Sequence, residues 1–271
     1  MHLHSVDSIE IPELGPYRTL RARTQHWQRD VFVAESAKAV RALLDSEIRV
    51  LSLLLNEEWL RTLNADLAAP RFADTAVYVA SDSMLEGIVG FPLHQKLLAL
   101  AAIPENPPLE ALRGDREGVG LHVALEGLAD AENMGMILRN CAAFGVDGVL
   151  VGPDSTSPYL RRSVRVSLGN VFSLRIHRAE NLHTALKTCR DRFGWHVVGT
   201  TPRSGSPALA DRVREGREVC LLFGSEAEGL TPEALALCDE YFSIPMYGGV
   251  DSINVANAVA VSLYEATRRG A

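Results

Sequence analysis

The 271-residue sequence lacks several patterns that would assign it to a common functional class. Its four cysteines form no C-x-x-C pair, and its eight histidines form no H-x-x-x-H or H-E-x-x-H pattern. These spacings predict no metal site and reduced, buried thiols at Cys141, Cys189, Cys220 and Cys238. The sequence also has no G-x-G-x-x-G fingerprint after its first strand and no G-x-S-x-G elbow. Both absences argue against nicotinamide-dependent dehydrogenases and α/β-hydrolases.

Long apolar runs and a basic charge balance are missing as well. The longest apolar runs, residues 50–55 and 97–103, are too short to cross a bilayer, and the amino terminus shows no signal peptide. We therefore expect a cytoplasmic protein that does not enter a membrane. The formal net charge of −7 weakly opposes nucleic-acid binding. One stretch nevertheless carries three arginines and no acid, and predicts a local basic patch: Arg161, Arg162 and Arg165.

A proline-rich break at residues 104–108, followed by a charged segment at 113–118, divides the sequence into two parts. We predict an N-terminal domain of residues 1–105, a linker of residues 106–118 and a C-terminal domain of residues 119–271. The first part alternates in the order β-α-β-α-β-α, which predicts a small three-layer α/β domain. The second part alternates strands and helices more clearly, which predicts a parallel sheet with ligands at the carboxyl ends of its strands.

Three polar segments follow predicted strands of the second part. The first, N-M-G-M-I-L-R, opens a predicted helix at residues 133–144, with Asn133 as its cap and Arg139 less than two turns away. The second, F-G-S-E-A-E-G-L at residues 223–230, is an acidic turn without the Lys-Ser/Thr pair of a phosphate-binding loop. The third runs from a strand through Pro245 and the turn Gly248-Gly249 into a predicted helix at residues 252–269. Such a segment favours backbone wrapped around a small polar molecule.

Taken together and in this order, the three segments resemble the motifs of the SpoU/TrmH family of SPOUT RNA 2′-O-ribose methyltransferases. The resemblance covers residues 119–271 and includes the longer strings A-A-F-G-V-D after the first motif and I-P-M-Y-G-G-V-D-S-I-N-V-A for the third. It implies a SPOUT domain with a deep trefoil knot that forms the S-adenosyl-L-methionine pocket, and a homodimer joined through this domain. Residues 32–35 and the helix after them are similar to the L30e-like RNA substrate-binding domain that often precedes this catalytic domain.

The resemblance also assigns roles to individual residues of this chain. It implies a catalytic centre of Asn133, Arg139, Glu226, Ser252 and Asn254. It implies cofactor contacts from Thr200, Gly224, Ile244, Met246, Ser252 and Ile253. We assign RNA phosphate contacts to Arg161, Arg162 and Arg165, because a guanidinium matches phosphate geometry.

The function implied is S-adenosyl-L-methionine-dependent methylation of a ribose 2′-hydroxyl in RNA, with ribosomal RNA favoured over tRNA. The alternatives are a tRNA methyltransferase of the same superfamily, a knotted methyltransferase that acts on a base, with tRNA as one possible substrate, and a catalytically idle RNA-binding protein of the same fold. Arg139 is the family's proposed activator of the hydroxyl. Because a guanidinium stays protonated, we prefer a role in gripping phosphate and stabilising alkoxide charge over that of a general base. Glu226 is expected either to orient Arg139 or to accept a proton.

Overall fold

The computed structural model describes residues 1–20, 30–114, 120–201 and 218–268. Its strands and helices, in chain order, are β1 (His2–Ser5), α1 (Gly15–Arg18), β2 (Val31–Glu35), α2 (Ala37–Asp45), β3 (Val50–Leu55), α3 (Glu57–Leu67), β4 (Ala76–Val79), α4 (Asp82–Val89), β5 (Leu97–Ala102), β6 (Gly120–Leu125), α5 (Ala131–Ala143), β7 (Gly148–Val151), α6 (Arg161–Val166), β8 (Ile176–Arg178), α7 (Leu182–Phe193), β9 (Trp195–Thr200), β10 (Glu218–Phe223), α8 (Pro232–Ala236), β11 (Glu240–Phe242) and α9 (Val255–Thr267).

The chain divides into two compact units. Unit 1 contains Met1–Glu105 and Tyr159–Phe172, and unit 2 contains Asn106–Pro158 and Ser173–Ala271. The first transition coincides with the end of the predicted N-terminal domain. The division differs from the predicted one in the segment Tyr159–Phe172, which the sequence assigned to the second domain and which packs within unit 1.

Unit 1 is built on a five-stranded mixed sheet with the strand order β1-β4-β3-β5-β2. Strands β1, β4 and β3 are parallel, whereas β5 is antiparallel to both of its neighbours, β3 and β2. The predicted strands and helices between residues 31 and 89 are present. The sequence analysis did not predict β1 or β5. Helix α2 buries Ala39, Val40, Leu43 and Leu44 on one side, because these positions recur at helical spacing.

The segment Tyr159–Phe172 contributes aromatic packing and α6 to unit 1. The ring of Phe32 on β2 lies 5.5 Å from the ring of Tyr159 and 5.5 Å from that of Phe172. Gly169 lies so close to α2 that a Cβ there would be 2.7 Å from the Cβ of Ala42, and its φ is +83°. Only glycine satisfies both conditions without strain.

Unit 2 is built on a six-stranded sheet with the strand order β11-β9-β10-β6-β7-β8, and every pairing is parallel. This confirms the predicted parallel α/β sheet. All six residues of β10 are buried, as expected for a central strand covered on both faces. The register pairs Phe223 with Leu125 and Phe242 with Thr200, so the segments that follow these strands leave from one edge of the sheet.

Two helix starts differ from the prediction, and both differences position polar side chains. Helix α5 begins at Ala131 because the carboxylate of Asp130 accepts hydrogen bonds from the backbone N–H groups of residues 132 and 133. Asn133 is therefore inside the first turn and is not the cap. Helix α9 begins at Val255, later than the predicted residue 252, because Asn254 has a non-helical backbone and its side chain accepts a hydrogen bond from the N–H of Ala256. The strand before the third motif, β11, ends at Phe242, two residues before the end of the strand predicted at residues 241–244.

Within the described ranges, no helix combines the length and the apolar character needed to span a bilayer.

Candidate active site

A cavity of about 660 Å³ opens at the carboxyl ends of β9, β10 and β11. Its walls come from the ends of these strands, from the loop at residues 223–230 and from the segment at residues 244–255 that leads into α9. Clefts of this size are typical of small-molecule sites, and this edge of a parallel sheet is where such sites form. The lining includes all six residues predicted to hold the cofactor: Thr200, Gly224, Ile244, Met246, Ser252 and Ile253.

The loop after β10 is closed on itself. The backbone N–H of Ser225 donates to the carbonyl of Gly229 at 3.1 Å, and the N–H of Gly229 donates back to Ser225 at 3.0 Å. A Cβ at Gly224 would lie only 2.1 Å from the carbonyl carbon of Gly229, so residue 224 must be glycine for the loop to close. The closed loop presents Glu226, Ala227 and Glu228 along the cavity wall.

A chain of hydrogen bonds joins the three sequence motifs. The Nδ2 of Asn254 donates to the Oδ1 of Asn133 at 2.9 Å, and the Nδ2 of Asn133 donates to the Oε1 of Glu226 at 2.8 Å. Asn133 is only 8% exposed. Its amide reaches both partners because Asp130 has taken over the capping of α5. The amide is thereby fixed in one orientation, with its oxygen toward α9 and its nitrogen toward the acidic loop.

Arg139 lies six residues further along α5 and is exposed. Its guanidinium has no hydrogen-bond or ion-pair partner among the residues that the structure describes. Glu226 therefore bonds to Asn133 and does not orient Arg139 here. A guanidinium that pairs with none of the described residues, on the same helix as Asn133, is available to bind an anionic ligand.

The sequence of unit 2 decides the family. Residues 120–264 match the model of the SpoU rRNA Methylase family. The chain belongs to the SpoU family. The matched range contains all three motifs, the cavity and the hydrogen-bonded amides of Asn133 and Asn254.

Similar proteins extend the match beyond unit 2. An uncharacterised tRNA/rRNA methyltransferase of Mycobacterium tuberculosis is 34% identical over 241 residues, which are 88% of this chain and 81% of that protein. The 23S rRNA (guanosine-2′-O-)-methyltransferase RlmB of Acinetobacter baylyi is 30% identical over 72% of this chain and 79% of its own. The crystal structure of an AdoMet-bound rRNA methyltransferase from Sinorhizobium meliloti superposes with a TM-score of 0.84, at 26% identity, over 97% of both chains.

Two polar side chains that the sequence analysis did not assign to the site hold its walls. Glu126, directly after β6, accepts hydrogen bonds from the backbone N–H of Thr231 at 2.9 Å and from its hydroxyl at 2.8 Å, which fixes the end of the acidic loop. Asn140 on α5 donates to the carbonyl of Ala256 at 3.1 Å and ties α5 to the first turn of α9. Both bonds join residues more than 100 positions apart, so no local pattern could predict them.

The three arginines predicted to contact RNA lie on α6 of unit 1. Arg161 forms an ion pair with Glu35 at the end of β2, and its guanidinium lies 5.3 Å from the centre of the Phe91 ring. The Nη1 of Arg165 is 3.9 Å from the other oxygen of Glu35. The sequence around these arginines contains no acid, but the fold brings Glu35 next to them. The net positive charge of α6 and its surroundings is therefore smaller than the sequence indicates.

In the described part of the chain, no three His, Cys, Asp or Glu side chains come together as a group that could hold a metal ion.

Proposed function

We propose that this SpoU-family chain transfers the methyl group of S-adenosyl-L-methionine to a ribose 2′-hydroxyl in RNA, with ribosomal RNA as the favoured substrate. The observation that carries the proposal is the hydrogen-bonded chain Glu226–Asn133–Asn254 beside the cavity, which combines all three motifs in one place. The similarity to a 23S rRNA guanosine-2′-O-methyltransferase supports both the ribose target and the RNA class.

The cavity fits S-adenosyl-L-methionine in size and in chemistry. The apolar side chains of Ile244, Met246 and Ile253 line it beside the hydroxyls of Thr200 and Ser252. A nucleoside with an attached amino acid needs such a mixture of apolar surface and hydrogen-bonding groups. When bound, this cofactor supplies an electrophilic methyl group on a sulfonium.

The residues of the chain then have to place the ribose and promote loss of its hydroxyl proton. Asn133 and Asn254 are held rigidly enough to orient a sugar, since each amide is fixed by the other. In this proposal Arg139 binds an RNA phosphate and stabilises the charge that develops on the ribose oxygen. The Oε2 of Glu226 accepts from no residue in the described ranges, so it can receive the hydroxyl proton directly or through a water.

Nucleoside-resolved mapping of methylation tests the reaction. Ribosomal RNA from cells without this protein should lack one or more 2′-O-methyl groups. These should return with the wild-type chain but not with Arg139→Ala. Loss of a base methyl group instead would favour the base-methyltransferase alternative. An unchanged methylation pattern, together with no binding of S-adenosyl-L-methionine at millimolar concentration, would favour the idle RNA-binding protein.

The assembly is a second part of this proposal. We propose a homodimer through unit 2, because Val261 and Tyr264 lie three residues apart on α9 and are 44% and 56% exposed. The proposal of a trefoil knot in unit 2 rests on the family resemblance. The same resemblance, with the mixed α/β sheet, supports an L30e-like unit 1. Light scattering on wild type and Val261→Asp tests the dimer: a monomeric wild type at micromolar concentration would contradict it.

RNA binding by α6 completes the proposal. Arg165 is expected to contribute more than Arg161, because the side chain of Arg165 is 40% exposed and lies 3.9 Å from Glu35, whereas that of Arg161 is 27% exposed and forms the closer ion pair with this carboxylate. Neutralising Arg165 should reduce the slope of log K against log salt, because each phosphate contact releases counterions. An unchanged slope would remove α6 from the RNA interface.

A further inference from the structure

The described lining of the cavity carries charge of one sign. It contains three carboxylates, Glu226, Glu228 and Asp251, and within that described lining there is no lysine, arginine or histidine. The Oε1 of Glu226 accepts a hydrogen bond from the amide of Asn133. Glu228 and Asp251 have exposed side chains with no ion pair or hydrogen bond to the described residues, so among those residues no cation balances their negative charge.

The proposed reaction removes a positive charge from this cavity. The methyl carbon leaves sulfur, the sulfur keeps the electron pair of the broken bond, and a new bond forms between that carbon and the ribose oxygen. The hydroxyl proton departs, so the positive charge that entered as a sulfonium leaves as a proton. What stays in the cavity is a thioether without charge at that sulfur. A negatively charged wall therefore stabilises the sulfonium form of the ligand before transfer and does not stabilise the thioether that remains afterwards.

We propose that Glu228 and Asp251 make the cavity selective for the charged sulfonium form of the cofactor over the neutral thioether product. This inference rests on the proposed function and adds a specificity role for two residues that the motif resemblance does not place in the site. The backbone supports it: the N–H of Glu228 donates to the hydroxyl of Ser225 at 3.1 Å, which fixes the loop that carries this carboxylate along the wall.

The size of the effect follows from the exposure of both carboxylates. A unit charge at about 4 Å in bulk water changes a binding constant about fivefold, and at twice that distance about twofold. Two exposed carboxylates should therefore favour the sulfonium over the thioether by about fivefold at low salt. Raising the salt concentration should reduce this preference, because exposed charges are screened over about 10 Å at 0.1 M.

Calorimetric titration with three ligands tests the inference without measuring turnover. The ligands are S-adenosyl-L-methionine, the thioether S-adenosylhomocysteine, and sinefungin, which carries an amine near the position of the sulfonium. In Glu228→Gln, Asp251→Asn and the double variant, affinity for the two cationic ligands should fall about twofold to fivefold. Affinity for the thioether should change by less than about 1.5-fold. Glu180→Gln is the matched control: it removes the same charge from an exposed acid outside the cavity lining and should leave all three affinities unchanged.

The possible outcomes separate this inference from the function on which it rests. Equal losses for all three ligands, or an unchanged ratio of sulfonium to thioether affinity in the double variant, would overturn the charge selection and leave the methyltransferase proposal in place. If the wild-type protein bound none of the three ligands at millimolar concentration, the proposed function would fall and the inference with it.

Discussion

Separating Arg161 from Glu35 should loosen unit 1 even though both residues are charged and lie near the surface. Their side chains are 27% and 13% exposed, which places the pair between a solvated surface pair and a fully buried one. The guanidinium of Arg161 also lies over the ring of Phe91. The perturbation we choose is Arg161→Met, which keeps the apolar stem of the side chain and removes its charge.

The expected loss of stability on breaking this ion pair lies between two known limits. Exposed ion pairs contribute about 0 to 1 kcal/mol, and breaking a fully buried pair costs about 3 to 5 kcal/mol. With the exposure of this pair, Arg161→Met should reduce the stability of unit 1 by about 2 kcal/mol, partly by leaving Glu35 without its closest cation. Arg165 compensates only weakly, because its Nη1 is 3.9 Å from Glu35.

Native-state hydrogen exchange gives the opening free energy of each unit separately. Peptides from β2 and α6 should lose about 2 kcal/mol of protection in Arg161→Met, whereas peptides from β10 in unit 2 should not change. A double-mutant cycle with Glu35→Gln isolates the pair from lost packing. A coupling energy below about 0.5 kcal/mol would refute the argument that this ion pair holds α6 in unit 1.

Four further outcomes are expected. Arg139→Ala should lower methyl transfer by at least about 100-fold while the Kd for S-adenosyl-L-methionine stays within about twofold, and Arg139→Lys should not restore transfer because it lacks the planar fork. Asn133→Ala removes two hydrogen bonds of about 1 kcal/mol each and should slow transfer about 10-fold to 100-fold in single-turnover assays; less than a twofold change would contradict it. Glu126→Gln should weaken cofactor binding a few-fold in calorimetry, since the acidic loop loses a charge-assisted anchor at its end. Burial raises the pKa values of Cys189 and Cys238 from 9.0 to about 12. The unfolded chain therefore ionises these thiols first, so stability should be intact below pH 9 and should fall between pH 9 and 12 in urea titrations.

The parallel sheet of unit 2 was predictable because each of its strands is marked by the hydrophobicity of its own residues. A strand that is buried on both faces reads as a continuous apolar run, as residues 219–223 of β10 do, whereas the helices beside it repeat their apolar residues at helical spacing. Strand β1 had no such signal. Its four residues, H-L-H-S, are exposed and pair only with β4 at the edge of the sheet, so nothing in their hydrophobicity marks a strand.

The site was only partly predictable, and the reason is visible at the start of α5. Asn133 is a good capping residue, and the sequence suggested that role. Asp130, three residues earlier, is an equally good one and takes the position, which releases the Asn133 amide to bond to Glu226 and Asn254. Local propensity could not decide between the two caps, because the partners that decide it lie 93 and 121 positions away in sequence.

The composition of unit 1 from two separate stretches of chain has a consequence for how the protein is made. During synthesis, residues 1–105 leave the ribosome well before Tyr159–Phe172. Until the later stretch arrives, Phe32 lacks two of its aromatic neighbours and Glu35 lacks its cation. Unit 1 is therefore completed only after the first two strands of the other unit's sheet have emerged. A gene fragment that stops at residue 105 encodes an incomplete unit, and any attempt to study it in isolation has to supply the missing helix.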